Sequence, residues 1–290
     1  MSNPGFCFIL AIASYKTGIM STISRQLNSL NAIKEALIGP IPDLVTSVLG
    51  ARSLRHAPEG DGHPVLVLPG FLSGDGPTWP LRHFLSGLGY RAWPWGLGLN
   101  LGFSTSYHYD IEALIEHRLK EIYLEASDQK ISIIGWSLGG VYAREMARNY
   151  PNLIKEVITL GSPISGNPAD TSISEIYSWV TQMKIHDPVF QEKILKSTAP
   201  VPNVPVTAFY SLSDNIVPPQ CAMETPGPLT ESIEVDCTHT GFGFNAQVFF
   251  MIAHRLAQKS QPWSKLDIDA VVAEYSNQRS PFSFFRPERT

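Results

Sequence analysis

The chain has 290 residues, 43% hydrophobic, 10% aromatic and 17% charged, so it can bury a large core; a disordered tail, a collagen-like repeat and a disulfide-scaffolded mini-protein are excluded. Lys and Arg number 22 against 26 Asp and Glu, a net charge of −4 with no run of like charges, which leaves no electrostatic footprint for nucleic acid or an anionic membrane. Three cysteines, Cys7, Cys221 and Cys237, are too few for a disulfide framework, although Cys221 and Cys237 could pair across one loop.

In chain order, the first feature is the apolar run Phe6 to Ala13 (FCFILAIA). No Lys or Arg precedes it, and it is far short of the roughly 20 residues that span a bilayer. It reads as a buried or docking segment of a cytoplasmic protein, secretion or a periplasmic location being the alternative. No other segment approaches transmembrane length. Ile23, Leu27, Leu30, Ile33 and Leu37 recur at helical spacing until Gly39-Pro40, which predicts a helix over 21–38, and Pro42 to Leu54 adds a second. Both are expected to pack on the main domain as an N-terminal layer within residues 1–60.

From His63 the rhythm changes to short apolar runs separated by helical patterns. Strands are expected at Val65 to Leu68, Tyr90 to Trp95, Lys130 to Ile134, Glu156 to Leu160, Pro205 to Tyr210 and Ser232 to Val235. Helices are expected at Pro80 to Leu88, Asp110 to Ala126, Leu138 to Asn149 and Asn245 to Gln258. Strands alternating with helices predict an α/β fold, a mostly parallel sheet flanked by helices, because each crossover must return over the sheet. Gly166 to Asn203 interrupts the alternation with helix starts at Ser172-x-x-Glu175 and Asp187-Pro188, so 166–203 is expected to be a small helical cap insertion. Residues 276–290 read as a peripheral tail, and the chain as a single domain over 1–290.

The chemistry-bearing pattern is Gly135-Trp136-Ser137-Leu138-Gly139, a G-x-S-x-G placed between a strand and a helix. A nucleophile on so tight a turn is forced into strained backbone angles and tolerates only small neighbours two residues to either side, which Gly135 and Gly139 supply. A serine hydroxyl needs a base, normally a histidine oriented by a carboxylate. Of eight histidines, His239 alone sits in a loop between the last strand and the last helix; His254, His186, His56 and His63 read as surface or packing residues. Asp214 follows the preceding strand and is the candidate acid, with Asp236 as competitor.

With its strand and helix, the motif resembles the α/β-hydrolase superfamily, and the stretch from Pro64 to Ala257 is most similar to bacterial serine esterases and lipases through HPVLVLPGF (63–71), GWSLGG (135–140), TLGSP (159–163) and SDNIVP (213–218). The resemblance implies the chain order nucleophile, acid, histidine, and an oxyanion hole built from the backbone N–H of Leu138 and of Phe71. Pro69-Gly70 replaces the His-Gly of many relatives, removing a side chain that steadies that loop but not the main-chain donor. Trp136, Ile216, Val217 and Phe242 would make the pocket apolar, which suits an acyl chain or aromatic ester as a small-molecule or lipid-like substrate.

The glycine-rich Ser73 to Pro77 lacks the Lys-Ser/Thr of a phosphate loop and reads as part of the oxyanion wall; Trp93 to Trp95 and Gly96 to Asn100 read as core packing on the same rim. No residue cluster has metal-ligand spacing, and neither metal nor cofactor is expected. The expected activity is hydrolysis of carboxylic esters through an acyl-enzyme. Alternatives are acyl transfer, thioester or amide cleavage with the same three residues, or an inactive binding protein on the same fold.

Overall fold

A computed structural model describes residues 50–102, 111–165, 188, 192, 195, 196, 198–258 and 262–279. Among them, six strands form one sheet: β1 (Pro64–Leu68), β2 (Arg91–Pro94), β3 (Ile131–Trp136), β4 (Ile154–Leu160), β5 (Val206–Tyr210) and β6 (Thr230–Glu234). Their order is β2-β1-β3-β4-β5-β6 and every pairing is parallel, so all six predicted strands are present to within a few residues.

Alternation along each strand divides the core into two layers, since successive side chains point to opposite faces. Leu66, Leu68, Ile131, Ile133, Val206 and Ala208 meet helices α2 (Ile111–Glu125) and α3 (Leu138–Asn149) on one face. Val65, Val67, Ile134, Ile158, Phe209 and Ile233 meet α1 (Asp75–Gly87), α4 (Ala246–Ala257) and α5 (Ile268–Arg279) on the other. Each fully buried Val, Leu, Ile or Phe side chain among these contributes about 1.5–3 kcal/mol.

Two elements depart from expectation. Helix α1 begins at Asp75, five residues before the predicted Pro80, which lies inside it. Pro77 is tolerated in the first turn because those N–H groups have no intrahelical acceptor anyway, and the Asp75 carboxylate accepts from the backbone N–H groups of Trp95 (3.0 Å) and Gly96 (3.2 Å). Helix α5 was not expected: Val271 and Tyr275 are buried, Tyr275 5.5 Å from the Phe250 ring, and residues 276–279, where the peripheral tail was expected to begin, are its last turn, with Ser276 and Asn277 exposed. The Tyr275 carbonyl also accepts from Ser53 Oγ at 3.0 Å, docking the helical turn 50–54 that belongs to the second predicted N-terminal helix. The helix expected over 21–38, the run Phe6 to Ala13 and residues 280–290 lie outside the described residues, as does most of the expected cap; within it Pro188, Glu192, Leu195, Lys196 and Thr198 are helical. No helix among the described residues is long and apolar enough to cross a membrane.

The amino edge of the sheet carries a buried polar row where alternation alone would put apolar side chains. His63 Nε2 lies 2.9 Å from Ser132 Oγ, which donates to Glu156 Oε1 at 3.1 Å. Arg255, from the last turn of α4, donates to Glu231 Oε1 at 2.7 Å and sits 3.7 Å from Glu156 Oε2. Thr207 Oγ1 and Leu266 N–H complete the coordination of Glu231 at 2.9 and 2.8 Å. Burial pushes the Glu156 carboxyl above its ordinary range.

Candidate active site

Strand β1 leads outward to β2, whereas β3 lies on its other side, so the carboxyl ends of β1 and β3 flank the switch in strand order where α/β sheets leave a crevice. Ser137 stands at the end of β3 with φ 53° and ψ −121°, a left-handed conformation rare for a non-glycine residue and costing about 1–3 kcal/mol. Its N–H donates to the Leu160 carbonyl (2.8 Å) and its carbonyl accepts from Gly140 (3.0 Å), which hold the turn. The expected need for small neighbours is visible directly. A methyl group on Gly135 would sit 2.4 Å from the Gly139 carbonyl, and one on Gly139 2.4 Å from the Leu68 carbonyl oxygen.

Asp214 and His239 come together at the same edge: His239 Nδ1 lies 2.7 Å from Asp214 Oδ2, and both side chains are buried. The other carboxylate oxygen accepts from Ile216 N–H and Val217 N–H, each at 2.8 Å, so the acid has one orientation. With the proton on Nδ1, Nε2 is left as the basic nitrogen. The competitor Asp236 is exposed and accepts from Ser213 Oγ at 3.2 Å. Trp136, next to Ser137, donates its indole N–H to the His239 carbonyl at 3.1 Å, linking the serine turn to the histidine loop.

Cys221 and Cys237 are separate buried thiols in the two opposite core layers, not a disulfide. The loops after β5 and β6 are joined by Ser211, whose Oγ donates to the Cys237 carbonyl at 2.6 Å. A third brace is the ion pair between Arg144 of α3 and Glu224, in the segment from Asp214 to His239, with Nε to Oε1 2.6 Å and both side chains 2% exposed or less.

Leu138 is the first residue of α3, next after Ser137, so its N–H has no acceptor within the helix and lies at the positive end of the helix dipole. Across from it, a methyl group on Gly70 would lie 3.2 Å from Ser137 Cβ and 3.8 Å from its Oγ, which puts the loop that carries Phe71 beside the hydroxyl. Of the four predicted pocket residues, Trp136 and Ile216 are partly accessible, whereas Val217 and Phe242 are fully buried and do not line an open surface. They pack instead behind the acid and the histidine, with the Phe242 ring edge-on to His239 at 6.4 Å. Trp95 is buried, as expected of that rim.

Two positions escaped sequence reasoning. Gly161, after β4, has φ +52°, and a methyl group there would sit 2.7 Å from the Phe242 ring and 2.9 Å from Asp214 Oδ2; only a glycine leaves room for both. Its signal was a glycine closing a strand at this edge. Asn100, in the stretch read as core packing, is fully buried beside the loop after β1, but nothing in the sequence points to its contacts with that loop.

A second Ser-His-Asp contact series exists at the opposite edge, where Ser132 meets His63 and His63 meets Asp61. Ser132 is fully buried near the start of β3, on no strained turn, so that series is packing. His56 is exposed, His254 is half-buried 3.7 Å from Glu274, and His186 lies outside the described residues. Among the described residues, no group of His, Cys, Asp or Glu could hold a metal ion. An imidazole held by a buried carboxylate, together with a serine on a strained turn at a helix start, has the parts for nucleophilic acyl chemistry.

Residues 107–228 match the family model of the PGAP1-like alpha/beta domain. No curated protein sequence matches the chain. Among solved structures, a variant of the pyrethroid hydrolase PytH is similar at TM-score 0.50 and 14% identity, covering 70% of this chain and 100% of that one. A monoacylglycerol lipase from Paleococcus ferrophilus aligns at TM-score 0.47 and 16% identity over 68% of this chain and 96% of that one. An alpha/beta hydrolase from the metagenome of lagoon sediments at Mar Chica, Morocco, aligns at 0.44 and 19% over 68% and 90%. The parallel sheet with helices on both faces, the serine turn after its third strand and the PytH likeness identify the chain as having the fold of the α/β-hydrolase superfamily.

Proposed function

We propose that this protein is a serine hydrolase that cleaves carboxylic esters through an acyl-enzyme. Ser137 Oγ attacks the ester carbonyl, His239 Nε2 takes its proton and returns it to the departing alcohol, and Asp214 holds the imidazole in the required tautomer. The N–H groups of Phe71 and Leu138 stabilise the oxyanion of each tetrahedral intermediate; one such donor is worth about 10²–10³ in rate. Water, activated by the same histidine, then releases the acid. The observation that carries this reading is the 2.7 Å contact between Asp214 and His239 at the sheet edge where Ser137 is held at φ 53°. The partly accessible apolar side chains of Trp136, Ile216 and Phe71 favour a neutral acyl or aromatic ester over a charged substrate.

The test is a p-nitrophenyl ester series of increasing acyl length run with wild type and Ser137→Ala, with circular dichroism of both. Turnover by wild type and loss of about 10⁶-fold in the variant at unchanged fold are expected. Retained turnover by Ser137→Ala, or no turnover of any ester by wild type, overturns the reading.

A further inference from the structure

We propose that Asn100 is the positioning residue of the oxyanion loop, holding the Phe71 donor and the Leu138 helix in one frame. This rests on the ester-hydrolase reading above and deepens it. Residues 69–73 run from β1 toward α1, with exposed Leu72 at φ +53°, a strained value that a free loop would relax. Asn100 grips this loop on both sides of Phe71. Its side-chain Nδ2–H donates to the Pro69 carbonyl at 2.9 Å; its own carbonyl accepts from Leu72 N–H at 2.7 Å, and its N–H donates to the Ser73 carbonyl at 2.8 Å.

The side chain also reaches the second donor. Asn100 Oδ1 accepts from Tyr142 OH at 3.4 Å and from Gly102 N–H at 3.1 Å, and Tyr142 lies on α3, the helix that Leu138 opens. One fully buried amide therefore ties the loop carrying Phe71 to the helix carrying Leu138. Stabilisation of an oxyanion depends on donors already aimed at it, since reorganising them in the transition state would forfeit the gain. Asn100 touches no reacting atom; it acts through Pro69 and Leu72.

The backbone bonds of Asn100 survive replacement of its side chain, so side-chain variants isolate the amide. The experiment measures kcat and KM for a p-nitrophenyl ester with full-length wild type, Ser137→Ala, Asn100→Ala and Asn100→Asp. For wild type and the Asn100 variants kcat is normalised to the Ser137 sites titrated to completion by a fluorophosphonate, so that unfolded protein does not count; Ser137→Ala is compared per total protein. Asn100→Asp keeps the size of the side chain but removes the donor to Pro69, and it carries the test where Asn100→Ala gives no titratable enzyme.

A fall in normalised kcat of about 10–100-fold is expected, with KM within about twofold, because the loss falls on the transition state. Unchanged normalised kcat in the Asn100 variants, even with a lowered melting temperature, makes Asn100 a packing residue and overturns the inference. Inert wild type, or activity surviving in Ser137→Ala, overturns the ester-hydrolase reading instead.

Discussion

Replacing Glu224 by glutamine tests whether the loop between the acid and the histidine is held from below. The Arg144–Glu224 pair is 2.6 Å long with both side chains buried, so solvent screens it little. At an effective dielectric of 20 its Coulomb attraction is about 6 kcal/mol, much of it offset by desolvation of the two ions. Arg144 also donates to the Ile164 and Ala199 carbonyls (3.2 and 3.1 Å), which anchor both ends of the segment inserted between β4 and β5. Glu224→Gln would leave that guanidinium buried without its counter-charge, at a cost of about 3–5 kcal/mol. At roughly 2 °C per kcal/mol for a chain of this size, the thermal midpoint drops by about 6–10 °C. The assay is thermal unfolding at neutral pH in low and in molar salt, with Arg144→Met/Glu224→Leu as the reference in which no charge is left behind. That double variant should recover most of the loss. A Glu224→Gln shift below about 2 °C, or one that vanishes in molar salt, refutes the reasoning, because only an exposed pair is that weak or that well screened.

Asp214→Asn should cut ester turnover by about 10⁴-fold at unchanged fold, as loss of the orienting carboxylate does elsewhere, whereas Asp236→Asn should stay within about twofold of wild type; p-nitrophenyl ester kinetics of both decide which carboxylate serves His239. Burial, and then the Lys155 charge, hold the His63 imidazole below its ordinary range. An unfolded chain takes up that proton first, so the stability due to His63 is complete above about pH 6.5 and drains away as pH falls below it. Melting temperatures between pH 7 and 5 should therefore fall, and His63→Gln should flatten the slope, with half-buried His254, shifted down in the same direction, keeping a part of it. An unchanged slope in His63→Gln refutes the assignment.

The strands were legible because runs such as Val65 to Leu68 and Ile131 to Ile134 must be buried on both faces of a parallel sheet, which leaves little freedom in composition. Helix boundaries were less so. Pro80 suggested a first turn, but the tertiary contact of Asp75 with Trp95 and Gly96 starts α1 earlier. Helix α5 was hidden by its weakly apolar composition, although Ile268, Val271, Val272 and Tyr275 do share one helical face. In the candidate site, the position of Ser137, Asp214 and His239 at one edge of the sheet was readable because each follows a strand. Gly161 and Asn100 were not, since their importance lies in what they stand beside: a ring and a carboxylate for the first, a loop and a helix for the second. Val217 and Phe242 show the converse, apolar neighbours in sequence that turn into the core.

The polar row at the amino edge has a bearing on the opposite edge. Ser132 is paired with Glu156 and Thr207 with Glu231 in the strand register, and each takes part in a hydrogen bond that a slipped strand could not make. A one-residue slip advances a strand by about 3.3 Å and turns its side chains to the other face. It would carry a glutamate into the apolar layer beneath α3 and, in the same motion, raise or lower the loop at the strand's far end by more than the length of a hydrogen bond. The row thus works as a ruler: by fixing where β3, β5 and β6 begin, it sets the common height at which Ser137, Asp214 and His239 emerge.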